Sequence, residues 1–179
     1  METFKALTSR KSVRTYTKTT VDRDAVEKIV LAGQKAPNAG PFHITVITDA
    51  DLLKEINDTT LTAMKNSGNE FLMSRAALDG YQPLYGAPVL ILLSAPDKGY
   101  GKVNTACVAT YMTIAATALD LGSCYVVSPV FGLNETKEVL KKLNLPDNYV
   151  PMCGVLVGHA GEDIYSNMHQ ETGSVDYID

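Results

Sequence analysis

The chain lacks several features that would assign it to a class at once. No uninterrupted apolar run reaches spanning length, and Glu2 and Lys5 interrupt the N-terminus, which has no apolar signal-peptide core. A cytoplasmic protein with no membrane partner is expected. Only three cysteines occur, Cys107, Cys124 and Cys153, set among apolar neighbours without a Cys-x-x-Cys spacing. They read as buried free thiols. The three histidines show no metal-ligand spacing either, so no metal site is expected. No Gly-x-Gly-x-x-Gly fingerprint for a dinucleotide exists. Cations are missing from the end of the chain. No Lys or Arg follows Lys142, while Glu162, Asp163, Glu171, Asp176 and Asp179 all lie beyond it. Any anion site must take its positive charge from earlier in the chain. A formal charge of −4 gives no reason to expect nucleic acid as a partner.

What is present suits one soluble domain over residues 1–179, with 45% hydrophobic and 20% charged residues. Its most telling stretch is Ser9-Arg10-Lys11-Ser12-Val13-Arg14, which gathers three cations and two hydroxyls directly after an apolar-periodic segment containing Phe4 and Leu7. A guanidinium fork binds phosphate oxygens in a bidentate way, a lysine adds point charge, and a serine hydroxyl supplies a short neutral bond. The cluster is an inventory for holding phosphate. A solvated basic turn would read the same way by composition alone.

Along the chain, residues 3–10 read as a short helix, and a second begins near Asp22 and ends around 34–36, before Pro37. The small-residue loop Ala36-Pro37-Asn38-Ala39-Gly40-Pro41 follows, then a strand over 43–48. Backbone amides in such a loop can approach a ligand closely. Residues 51–73 are helical in pattern with an interruption at Asn66-Ser67-Gly68, and 78–88 form an irregular loop. Residues 87–94 are almost continuously apolar, which predicts a strand buried on both faces. Residues 103–121 are the most apolar helix, with Gly122 as its C-cap. A strand over 123–128 follows, then a polar helix that Asn134 caps and that runs to Leu143, and a last strand over 150–157.

Taken together these segments resemble the flavin-dependent nitroreductase family. The likeness rests on four motifs in order: Arg10, Ser12 and Arg14 after a first helix; the Ala36-Pro37-Asn38-Ala39-Gly40 loop; the strand opening Gly86-Ala87-Pro88; and an Ala-rich helix from Ala115-Ala116 to Leu121-Gly122-Ser123-Cys124. It runs over about residues 3–158. Two departures stand out. Only Asn38, Ala39 and Gly40 separate Pro37 from Pro41, with Phe42 where the family has Trp. The tail also lacks the cation that family members commonly bring to the phosphate, and His159 and His169 replace it only in part.

The resemblance implies an α+β fold, a mixed central sheet covered by helices, and a homodimer with FMN at the subunit interface. It further implies that Arg10 and Ser12 hold the phosphate with Lys11 nearby, and that Arg14 reaches the pyrimidine edge. Pro37, Asn38, Ala39 and Gly40 would line the cofactor, and the backbone of Val126, Val127 and Ser128 would face the flavin N5 side. Asn104 matches a polar family position, as a helix cap or a ligand contact. The implied activity passes electrons from NAD(P)H through FMN to a small-molecule acceptor such as a nitroaromatic or quinone. A same-fold flavoenzyme with another redox task, such as dehalogenation, or a flavin-storage protein, is the alternative. No side-chain acid or base is required, since the flavin carries the hydride chemistry.

Overall fold

Strand β2 (Val89–Pro96) lies at the centre of the computed structural model, which describes residues 2–162 and 173–178. Its run of apolar residues is buried on both faces: Leu90 and Leu92 enter one core cluster, while Val89, Ile91 and Leu93 enter the other. β2 pairs with β1 (His43–Ile47) on one side and β4 (Tyr149–Gly158) on the other, and β3 (Gly122–Val126) closes the order β1-β2-β4-β3. All three ladders are antiparallel, with a register shift between Leu93 and Ser94. A parallel pairing enters at the isolated bridge between Ser12 and Ser123, beside β3.

Helices cover both faces. On one side α2 (Arg23–Gln34) packs against α5 (Gly101–Ala118), where Val26, Ile29, Val108, Ala109 and Met112 join the second cluster. On the other side α3 (Ala50–Lys65) packs against α6 (Ser128–Glu135), with α7 (Lys137–Lys141) beyond it. Short helices α1 (Thr3–Ser9) and α4 (Glu70–Ala76) complete the described residues. The start of α2 is set by Asp22, whose side chain accepts from the Asp24 amide, and that of α3 by Asp49, which accepts from Leu52 N at 2.8 Å.

Two boundaries differ from the sequence reading. Helix α5 stops at Ala118, and Asp120 takes the left-handed turn with φ 58°, so Gly122 is not the cap. Gly122 opens β3 instead, where a Cβ would lie 3.0 Å from the Val13 methyl groups. Asn134 likewise lies inside α6, a helix that begins six residues earlier with Pro129 in its first turn. The chain breaks at Thr136 (φ −118°, ψ 87°) before α7.

Candidate functional site

Arg10 ends α1: its amide still donates to Ala6 O at 3.1 Å, after which the backbone turns extended. The next residues run like an edge strand between two neighbours. Val13 N donates to Ser123 O at 2.8 Å, Thr17 N to His159 O at 2.9 Å, and Gly161 N to Thr15 O at 2.8 Å. Tyr16 is buried among the residues of the first core cluster and bridges Ala160. The basic cluster is therefore laced to β3 on one side and to the exit of β4 on the other.

In an extended chain, residues two apart share a side. Ser12 and Arg14 accordingly converge on the Cys124 thiol of β3, with Arg10 also within electrostatic reach. Burial pushes that thiol up from its ordinary range; the Arg14 charge, a hydrogen bond with Ser12 and the Arg10 charge pull it partly back. Cys124 is thus the floor of the cluster, a role that the sequence did not reveal because it depends on the pairing of Ser12 with Ser123. Lys11 is exposed.

A small cavity opens here, lined by Lys11, Ser12, Arg14, Thr15, Ala160 and Gly161 among others. Thr15 Oγ1 is buried and has no partner among the described residues. Two cations, a serine hydroxyl and an orphaned threonine hydroxyl form a donor set that fits an oxyanion. His159 meets the segment through its backbone carbonyl, and His169 lies outside the described residues.

The second group of residues is the loop over 36–41. Asn38 Nδ2 donates back to Ala36 O at 3.1 Å, and Ala39 N donates to Asn104 Oδ1 at 3.0 Å. Pro37, Asn38 and Ala39 are exposed, and Gly40 is half-buried. Asn104 is not a cap of α5, whose N-cap position is Tyr100 without a side-chain bond. It is buried, at 5% exposure, and faces the loop.

The third group spans the end of β3 and the start of α6. Val126 is buried, Val127 is exposed, and Ser128 is half-buried. Val127, in the N-cap position of α6, makes no side-chain cap hydrogen bond, and Pro129 in the first turn has no amide to satisfy.

Helix α5 separates the first two groups. Ser123, the partner of Ser12, lies by Thr113 O near the end of the helix (3.5 Å), while Asn104 stands nine residues earlier, about 13 Å along the axis. Within one chain, the cavity at the cluster includes neither the loop nor residues 126–128. A wider concavity lies elsewhere, between α2, β1 and α3; Gly86, Ala87 and Pro88 line it, but none of the residues expected to bind the cofactor do. Among the described residues, no group of His, Cys, Asp or Glu is arranged to hold a metal, and no helix is long and apolar enough to cross a membrane.

Elsewhere, His43 packs edge-on to Tyr149 with centroids 6.5 Å apart. Tyr81 stacks edge-on against Tyr85 and under Arg75, whose Cζ lies 5.3 Å from the Tyr81 ring. Tyr100 is exposed.

Residues 7–159 match the model of the nitroreductase family. A protein of Archaeoglobus fulgidus, provisionally named an NADH dehydrogenase/NAD(P)H nitroreductase, is 28% identical over 170 residues, covering 90% of this chain and 87% of its own. The FMN reductase [NAD(P)H] of Bacillus subtilis is 26% identical over 170 residues, which are 90% of this chain and 67% of that protein. The FMN-bound nitroreductase of Bacteroides fragilis superposes over all of both chains with a TM-score of 0.87 and 25% identity. With a family match that spans most of the chain and an α+β architecture shared end to end with that structure, this protein belongs to the nitroreductase family.

Proposed function

We propose that this protein is an FMN-dependent oxidoreductase that takes electrons from NAD(P)H and passes them to a small electron-poor acceptor, such as a nitroaromatic or quinone, in two successive half-reactions. The observation that carries the reading is the cavity at the basic cluster, lined by Lys11, Ser12, Arg14 and Thr15, where the Thr15 hydroxyl is buried without a partner among the described residues and Arg10 stands just before the lining at the end of α1.

FMN, when bound, supplies the hydride chemistry itself. The chain supplies the hold and the field. Arg10 and Ser12 would hold the phosphate and Lys11 would add charge, while Arg14 would bring positive charge that stabilises the reduced ring. The backbone over 126–128 and the 37–40 loop would line the ring. No side chain is assigned as acid or base.

The working unit is a homodimer with the flavin at the subunit interface. Supporting this, Phe4 (73% exposed) and Leu7 (46%) on α1, and Val103 (61%) and Tyr111 (42%) on α5, present apolar surface on two helices that pack together. Leu7 lies three residues before Arg10, so the apolar face and the basic cluster adjoin.

The test is direct. The purified protein is heated, and the released ligand is identified by mass spectrometry; FMN is expected, and FAD or no flavin after reconstitution ends the reading. Anaerobic NADH or NADPH should then bleach the bound flavin, and a nitroaromatic or quinone should restore its colour. Binding of FMN without bleaching would leave a flavin-storage protein.

A further inference from the structure

The loop over 36–41 is packed at both ends and exposed in between. At its start, Ala36 is buried at 4% exposure and its amide donates to Gly33 O at 3.1 Å, at the end of α2. At its far end Phe42 packs against the cluster that α2 and α5 share. Between them, Pro37, Asn38 and Ala39 stand exposed on the surface. Two side-chain hydrogen bonds are seen within this arch. One, from Asn38 to Ala36 O, joins the loop to itself; the other, from Ala39 N to Asn104 Oδ1, joins it to the body of the protein across 65 residues.

Asn104 is well placed for this because its platform is rigid. Three residues earlier, Gly101 lies so close to the end of β2 that a Cβ would stand 2.8 Å from Pro96 O. Thr105 Oγ1, one residue later, bonds Gly101 O at 2.9 Å. Asn104 Nδ2 also lies against the loop, 3.4 Å from where a Cβ of Gly40 would sit. An amide side chain with so little exposure has few ways to relax, so it holds the arch in one shape.

We propose that Asn104 is a positioning residue: it fixes the arch over 37–40 in the shape that borders the flavin ring, and does so through Ala39 rather than by touching the flavin. The proposal rests on the FMN reading above and adds to it how the loop is held.

Hydrogen exchange and flavin titration test it together. In the wild-type apoprotein the Ala39 amide should exchange slowly although the residue is exposed, a result that needs no variant. Asn104→Ala should make that amide exchange fast. It should also weaken FMN and riboflavin by a common factor of about fivefold, as expected for the loss of one ordering hydrogen bond. Asn104→Asp keeps an acceptor oxygen and should restore slow exchange and bring both affinities to within about twofold of wild type. Fast exchange at Ala39 in the wild type overturns the proposal. So do unchanged affinities in Asn104→Ala, a loss confined to FMN, or an Asp variant no better than Ala. A wild-type protein that takes up no flavin sinks the FMN reading and the role with it, while the exchange arm still reports whether the clamp exists.

Discussion

Arg10 and Asn104 make opposite demands on the same pair of ligands. A charge-assisted bond contributes ~1.5–3 kcal/mol, so Arg10→Ala should weaken FMN at least about tenfold and leave riboflavin, which has no phosphate, nearly unaffected. FMN affinity should also fall with added salt in the wild type. Equal losses for both ligands would move the phosphate assignment to Lys11 or Arg14. A second residue-scale prediction concerns pH. Burial pushes the Cys153 thiol from 9.0 up to about 11, against hydrogen bonds with Thr105 and Tyr125 that lower it. A thiol whose folded pKa is raised stabilises the fold fully below its unfolded value and loses that contribution as pH climbs to the folded one. Stability should therefore fall between pH 9 and 11. The shift corresponds to ~2–3 kcal/mol, and Cys153→Val should remove that part of the decline in urea titrations across this range. A decline of unchanged depth in the variant would assign it to Cys124, Tyr16, Tyr81 and Tyr125, which burial also pushes up.

At the scale of elements, the helices approach one another at glycines of unequal tolerance. In α6 a Cβ on Gly132 would meet the backbone of Thr60 in α3, at 2.6 Å from N and 2.7 Å from Cα. In α2 a Cβ on Gly33 would meet the Cε and Cγ of Met112 and, at 3.2 Å, Val108 Cγ1, which are side-chain atoms that can shift rather than backbone. Gly132→Ala should cost ~2–3 kcal/mol and Gly33→Ala ~1 kcal/mol or less, since overpacking against backbone cannot relax. Chemical denaturation of both variants checks the order, and equal costs would mean that α6 shifts freely. Element identity was largely legible in advance. Asp22 marked a true helix start, and the run over Asn66-Ser67-Gly68 did separate α3 from α4. The cap after α5 was expected to be Gly122, yet Asp120 takes the left-handed turn, and Gly122 lies two residues on, in β3, where Val13 packs closely against it.

For the whole molecule, the exposed apolar face on α1 and α5 should be covered by a second copy. Sedimentation at micromolar concentration should give twice the 19.3 kDa chain mass. Val103→Glu combined with Tyr111→Glu places two charges on that face and should yield a monomer with weakened FMN binding, because the proposed flavin site adjoins it. A double variant that stays dimeric, or a monomer that binds FMN as tightly as wild type, would remove the flavin from the interface.

The sequence by itself determined the strand β2 that is buried on both faces, the helix periods, the free cysteines and the composition of the basic cluster, since each depends on neighbours in the chain or on residue type. It also carried the family, through four short motifs whose order matters more than any one of them. The tertiary structure decided what those motifs touch. Pairing Ser12 with Ser123 put Cys124 beneath Ser12 and Arg14, and folding α2 onto α5 brought Ala39 to Asn104. Contacts of this kind join residues 65 or more positions apart. No local period or propensity encodes them, because they follow from how whole elements pack.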